Sequence, residues 1–174
     1  TCDQPPGGCL CQADCGCLKR MTRDPALGVY IHWPWCLSKC SYCDFNSQAV
    51  DLQQIDQEEQ ASALLTELDR SLDETDKEII GSVFFGGGTP SLMAPRTVAD
   101  LLEKLAKRSS LSKQLEVTLE ANPGTIDVKS LKAFKSAGIN RLSLGVQSLE
   151  DQSLKALGRT HDAKGALKAL DLIR

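Results

Sequence analysis

At 174 residues the chain is long enough for one domain with a real core, and its 41% hydrophobic and 25% charged residues are those of an ordinary globular protein. A formal net charge of −3 provides no basic footprint for nucleic acid. No apolar run approaches the roughly 18 residues of a membrane-spanning helix. The eight cysteines fall into two groups, Cys2, Cys9, Cys11, Cys15 and Cys17, then Cys36, Cys40 and Cys43. None follows Cys43, so most of the fold is expected to form without them.

Residues 1–24 combine Pro5-Pro6, Gly7-Gly8 and five cysteines with almost no apolar periodicity. They are expected to lie outside the fold as a disordered or artefactual extension, with Met21 placed where a native start could lie. Cys9-x-Cys11 and Cys15-x-Cys17 offer a zinc site as an alternative. Asp3, Asp14 and the scarcity of arginine argue against an organelle presequence. Regular organisation begins at Leu27. Leu27 to Trp33 reads as a buried strand ended by Pro34. Asp56 to Leu72 carries Ala61, Leu64, Leu65, Leu68 and Leu72 on one helical stripe. Ile79 to Phe85 is a second strand, closed by Gly86-Gly87-Gly88-Thr89-Pro90. A helix from Pro95 to about Lys107 presents Val98, Leu101, Leu102 and Leu105. Leu115 to Glu120 is a third strand, broken by Asn122-Pro123-Gly124. The next helix, Asp127 to Ala137, ends at Gly138 as a left-handed cap. Asn140 to Val146 is a fourth strand, followed by helices from Glu150 to Leu157, capped by Gly158, and from Asp162 to the end.

Strands alternating with helices imply an α/β fold with a parallel sheet. An open doubly wound sheet and a partial (β/α) barrel both fit. Alternation within two strands favours the barrel: Leu115, Val117 and Leu119 oppose Glu116, Thr118 and Glu120, and Leu142, Leu144 and Val146 oppose Arg141, Ser143, Gly145 and Gln147. Open parallel sheets bury both faces, whereas barrel strands can turn polar groups inward near their C-terminal ends. The expected domain is therefore the N-terminal part of a barrel over residues 25–174, cut after about four βα units.

Every candidate functional residue lies at a strand C-terminus. Cys36, Cys40 and Cys43 form C-x3-C-x2-C in one loop and can hold three irons of a [4Fe–4S] cluster. Phe45 and Ser47 stand where a fourth near ligand could have been. Four-cysteine ligation serves electron transfer, so three leave one iron open to a small molecule. Zinc would need a fourth ligand, and His32 is the near candidate. Free thiolates point to a reducing compartment. The three glycines expose backbone N–H and C=O groups to a polar ligand. They match neither a Walker sequence nor G-x-G-x-x-G. Glu120 and Gln147 end strands on the inner face; a buried carboxylate needs a partner, either a ligand or Arg141. Arg159 is placed to meet a ligand carboxylate. His32 and His161 are assigned no catalytic role.

The motifs Tyr-Ile-His-x-Pro-Trp-Cys, Cys-x-Tyr-Cys-Asp-Phe-Asn-Ser, Gly-Gly-Gly-Thr-Pro-Ser, Glu-Ala-Asn-Pro-Gly, Asn-Arg-Leu-Ser-Leu-Gly-Val-Gln-Ser and Leu-Gly-Arg-x-His occur in that order. Over residues 27–174 the chain resembles the radical S-adenosylmethionine (SAM) proteins, and within them the HemW-like haem chaperones. The resemblance implies that Cys36, Cys40 and Cys43 hold a [4Fe–4S] cluster whose fourth iron is chelated by SAM. Tyr30 and the backbone of Tyr42 would lie against cluster and adenosyl group, and Gly87, Gly88 and Thr89 would meet the methionine end. Glu120 and Gln147 would bind SAM polar groups, and Arg159 its carboxylate. It further implies an electron donor, haem or a porphyrinogen, and haem-accepting proteins as partners. Haem would be held by segments that the family carries beyond the position of Arg174. Cytoplasm is the expected location, with the mitochondrion as the eukaryotic alternative. The neighbouring family, oxygen-independent coproporphyrinogen III oxidases, has a further cysteine two residues after the third ligand. Phe45 stands there, which favours the chaperone.

Overall fold

The computed structural model describes residues 26–75 and 79–173. The expectations for residues 1–24, including the zinc alternative, fall outside them. Four parallel strands form the main sheet, β1 (Leu27–Trp33), β4 (Ile79–Gly87), β5 (Ser110–Ala121) and β6 (Arg141–Leu144), in that spatial order. Between β1 and β4 lie two short strands, β2 (Trp35–Cys36) and β3 (Gln48–Ala49), which pair with each other in parallel. The helices are α1 (Gln57–Asp73), α2 (Pro95–Arg108), α3 (Val128–Ser136), α4 (Asp151–Ala156) and α5 (Ala163–Ile173).

The period-two pattern of β1 decides which side of the sheet is dry. Ile31 and Trp33 are buried while Gly28 and Tyr30 are exposed, as alternation on a pleated strand requires. Ile31, Trp33, Val83, Phe85, Val117 and Leu119 pack with Leu68 of α1, Val98, Leu101 and Leu105 of α2, and Phe134 of α3. The opposite face carries a register row of Tyr30, Phe84, Thr118 and Arg141. This is the polar inner face read from the alternation of the third and fourth strands, to which β1 and β4 add aromatic rings. Thr118 on it is only 1% exposed, because Arg141 Nη1 and Glu116 Oε1 bracket its hydroxyl at 3.2 and 3.3 Å.

Helix starts follow local chemistry. The Asp56 carboxylate accepts from Glu58 N and Glu59 N, both at 3.0 Å, to open α1. Asp127 and Ser130 form a reciprocal capping box that opens α3. Gly138 takes φ +112 after α3, the left-handed conformation expected of it. Strand boundaries differ from the sequence reading chiefly in three places. β4 runs on through Gly86 to Gly87 rather than ending at Phe85. β5 starts at Ser110 rather than Leu115, since Ser110 and Leu111 pair with Ile79 and Ile80 before a register shift. β6 stops at Leu144, so Gln147 lies in the following turn and not on the strand.

Candidate cluster and SAM site

The cysteine loop is built on β1. Pro34 ends that strand, and β2 then leads into the loop, which returns through β3. Backbone bonds from Gln48 N to Pro34 O at 2.8 Å and from Val50 N to Cys36 O at 2.9 Å close its base. Within the loop, Cys43 N donates to Cys40 O at 3.1 Å and Ser47 N to Phe45 O at 2.7 Å. The Lys39 ammonium donates to the carbonyls of Phe45 and Ser47 at 3.3 and 3.2 Å, tying the outgoing limb to the returning one. His32 Nε2–H donates to Asn46 O at 2.8 Å. That contact commits Nε2 to the loop backbone and leaves Nδ1 3.4 Å from Tyr30 Oη.

The glycines work differently from the expectation that their amides face a ligand. Gly88 N donates to Trp33 O at 2.6 Å and Thr89 N to Trp35 O at 2.9 Å. Gly87 N donates to Glu120 Oε2 at 3.3 Å. All three amides are already used inside the protein. What the glycines provide is close approach: a methyl group at position 88 would lie 2.7 Å from Trp35 O and 3.0 Å from Cys36 Sγ. At position 87, where φ is +110, it would meet the His32 ring at 2.7 Å.

Arg159 arrives from the other end of the chain. Its Nη1 lies 3.2 Å from Cys40 Sγ and 3.4 Å from Tyr42 Oη, while Nη2 donates to Gly145 O at 2.6 Å. Its Nε is buried with no protein partner. Gly158, at φ +72, turns the chain so that this side chain points inward. Burial raises the Glu120 pKa above the ordinary carboxylate value, with the Gly87 N–H partly opposing it. Arg141 is not its partner: the register sets Arg141 beside Thr118 and Glu120 beside Ser143, and Arg141 pairs with Glu116 at 3.2 Å. The Tyr42 hydroxyl is pushed up chiefly by burial, against the pull of Arg159. Tyr30 is raised by burial and then by the charge of Glu120.

One cavity of about 420 Å³ gathers most of the sequence candidates. Cys36, Cys40, Tyr42, Cys43, Gly88, Thr89, Glu120, Gln147 and Arg159 line it, together with Phe45. Tyr30 and Gly87 do not. Tyr30 is 58% exposed and stacks on Phe84 on the inner face of the sheet, and Gly87 reaches the site only through its bond to Glu120. Sequence reasoning missed Lys39, and also Asn122 and Ser143 on the cavity wall. The only available signal for Lys39 was its place between two ligand candidates.

A family model described as the radical SAM superfamily matches residues 30–174. The chain belongs to the radical SAM superfamily. It is 42% identical over 160 residues to the haem chaperone HemW of Haemophilus influenzae, covering 88% of this chain and 41% of that protein. It is 46% identical over 142 residues to the mitochondrial radical S-adenosyl methionine domain-containing protein 1 of Bos taurus, covering 82% and 32%. Among solved structures, the coproporphyrinogen III oxidase HemN of Escherichia coli, described as a radical SAM enzyme, superposes with a TM-score of 0.76 at 25% identity, over 86% of this chain and 34% of that one. The α/β fold with its parallel sheet is thus the radical SAM fold. The chain spans about two fifths or less of the length of these relatives.

Membership implies a [4Fe–4S] cluster and SAM, and the residues present fit both. Cys36, Cys40 and Cys43 are free thiols. The three thiols, the partly buried Glu120 carboxylate and the Arg159 guanidinium line one cavity, donor types that fit a cluster and a zwitterionic ligand. No helix among the described residues is long and apolar enough to cross a membrane.

Proposed function

We propose that residues 25–174 form the cluster- and SAM-binding part of a HemW-like haem chaperone. The observation that carries this is the convergence of three loop thiols, Arg159, Glu120 and the Gly88-Thr89 strand end on one cavity. In this reading Cys36, Cys40 and Cys43 hold the cluster. When bound, the cluster and SAM together supply one-electron cleavage of a sulfonium C–S bond. The Arg159 guanidinium, held by Gly145 O through Nη2, is the cationic donor for the SAM carboxylate through the N–H groups that remain. Glu120 accepts from SAM hydroxyl or ammonium groups, and its partly desolvated carboxylate gains most when such a donor arrives. Gly88 and Thr89 shape the wall, Gly87 anchors Glu120, and Gln147 adds an amide. Tyr42 covers the cluster loop, and Tyr30 stands on the inner face beside Glu120. Haem, the proteins that accept it and an electron donor complete the proposed partners, and the cytoplasm the proposed location, with the mitochondrion for a eukaryotic source.

Likeness to HemN supports a second reading, oxidative decarboxylation of coproporphyrinogen III. Phe45 weighs against it, since an exposed phenyl ring lines the cavity where that family has another cysteine. The test uses a form of the protein spanning the whole length of its relatives, reconstituted anaerobically with iron and sulfide. A [4Fe–4S] absorption and EPR signal is expected, and Cys40→Ala should abolish it; an unchanged signal would sink the cluster assignment. The same preparation is then given haem, or coproporphyrinogen III with SAM and a reductant. Stable haem binding without turnover supports the chaperone, whereas formation of protoporphyrinogen overturns it.

A further inference from the structure

His161 closes the Leu157-Gly158-Arg159-Thr160-His161 stretch, yet the site described above uses only Arg159. Its ring sits between two loops, with Nε2 3.1 Å from Val146 O and Nδ1 3.1 Å from Asn122 Oδ1. Both partners are acceptors. The Asn122 atom is identified as oxygen by a second contact, the Gly124 backbone N–H donating to it at 3.1 Å. A neutral imidazole has one N–H to give, and burial lowers the His161 pKa, favouring the neutral ring. A proton on Nε2 leaves neither oxygen without a donor, because Asn122 keeps Gly124.

The carbonyl so engaged belongs to a strained turn. Gln147, the next residue, has φ +70, the one positive value among the described non-glycine residues. A left-handed glutamine crowds its own Cβ against the backbone, so its neighbours must hold it there. The preceding carbonyl, Gly145 O, is held by Arg159 Nη2 at 2.6 Å. Two consecutive carbonyls are therefore gripped from one loop, by residues two apart in sequence, and the turn they fix carries Gln147 into the cavity wall.

We propose that His161 is a positioning residue for the SAM site. Its Nε2–H, on the Val146 carbonyl, holds the 145–147 turn in the form that keeps Gln147 in the cavity wall and gives Arg159 a fixed anchor. The link to SAM rests on the cofactor reading above. The holding of the turn does not.

Two amides separate the contacts. His161→Gln places an N–H near the position of Nε2, and His161→Asn places one near Nδ1. Wild type and both variants, in the form spanning the length of the relatives, are compared for iron content, SAM dissociation constant by equilibrium dialysis, and amide exchange at residues 146–148 without SAM. Iron content should match in all three. His161→Asn should weaken SAM by about tenfold, the worth of one well-placed hydrogen bond, and speed exchange in the turn. His161→Gln should stay close to wild type in both. Equal losses of affinity in the two variants, unchanged exchange in His161→Asn, or loss of iron from either would overturn the proposal. Wild-type protein that binds no SAM would overturn the cofactor reading and the SAM link together, while the exchange comparison still decides whether His161 holds the turn.

Discussion

Glu120 is held in a form that suits a ligand better than it suits the protein. Its folded pKa is raised, so the folded state binds this proton more tightly than the unfolded chain does. Stability from this group is therefore fully present below the ordinary glutamate value. It is lost as pH rises from there through the raised folded value. Glu120→Gln keeps an acceptor for Gly87 N and removes the charge. Solvent screening in a half-open site makes the effect small, so thermal melts of the SAM-free protein at neutral pH should show a rise of about 1–2 °C. SAM binding should weaken in the same variant, the usual opposition between stability and function at a binding site. At this scale the cysteine triplet and the glycine run were legible because each is a local pattern. The partner of Arg141 was not. Glu116 and Glu120 flank Thr118, the residue that register sets beside Arg141, and the direction of the Arg141 side chain, toward Glu116 at 3.2 Å, makes the choice.

Among the elements, the helices were the most legible because their apolar stripes repeat. Val98, Leu101 and Leu105 are fully buried, as their spacing on α2 foretells. The start of β5 was hidden by Ser112, Lys113 and Gln114, whose polarity masks a strand whose first residues pair only with the beginning of β4. The β2–β3 pair was invisible because two-residue strands have no periodicity to read. Capping chemistry offers a direct check at this scale. Asp127→Ala removes the carboxylate half of the box that opens α3, leaving the backbone N–H at 127 on Ser130 Oγ, and should lower unfolding free energy by about 1 kcal/mol in urea titration. The ion pairs tying α1 to α2, such as Arg108 with Asp69 at 3.0 Å, are surface-exposed and contribute less.

For the molecule as a whole, the sheet places the cysteine loop, the Gly88-Thr89 stretch, Glu120 and Gln147 at or just beyond the C-terminal ends of its strands, the side on which βα-barrels build sites, and Arg159 joins them from the loop after α4. Chemistry separated by more than a hundred residues, Cys40 and Arg159, meets there at 3.2 Å. The alternation of β5 and β6 foretold this side, while the reach of Arg159 depends on the Gly158 turn and on Gly145, which no single segment reveals. The short β2–β3 ladder has a consequence for assembly. It closes the cysteine loop at its base with four residues, and Lys39 and His32 staple the loop to its own backbone, while the hydrophobic core is formed by the main sheet and its helices. The loop is thus a latch that can open without melting the barrel wall, the kind of low-stability unit seen in local unfolding. On the proposed cluster reading, metal loading would be a local folding event on a preformed scaffold. Hydrogen exchange of metal-free protein should show rapid exchange across residues 37–47 beside slow exchange at Val83 and Val117, with the loop alone gaining protection when iron and sulfide are added.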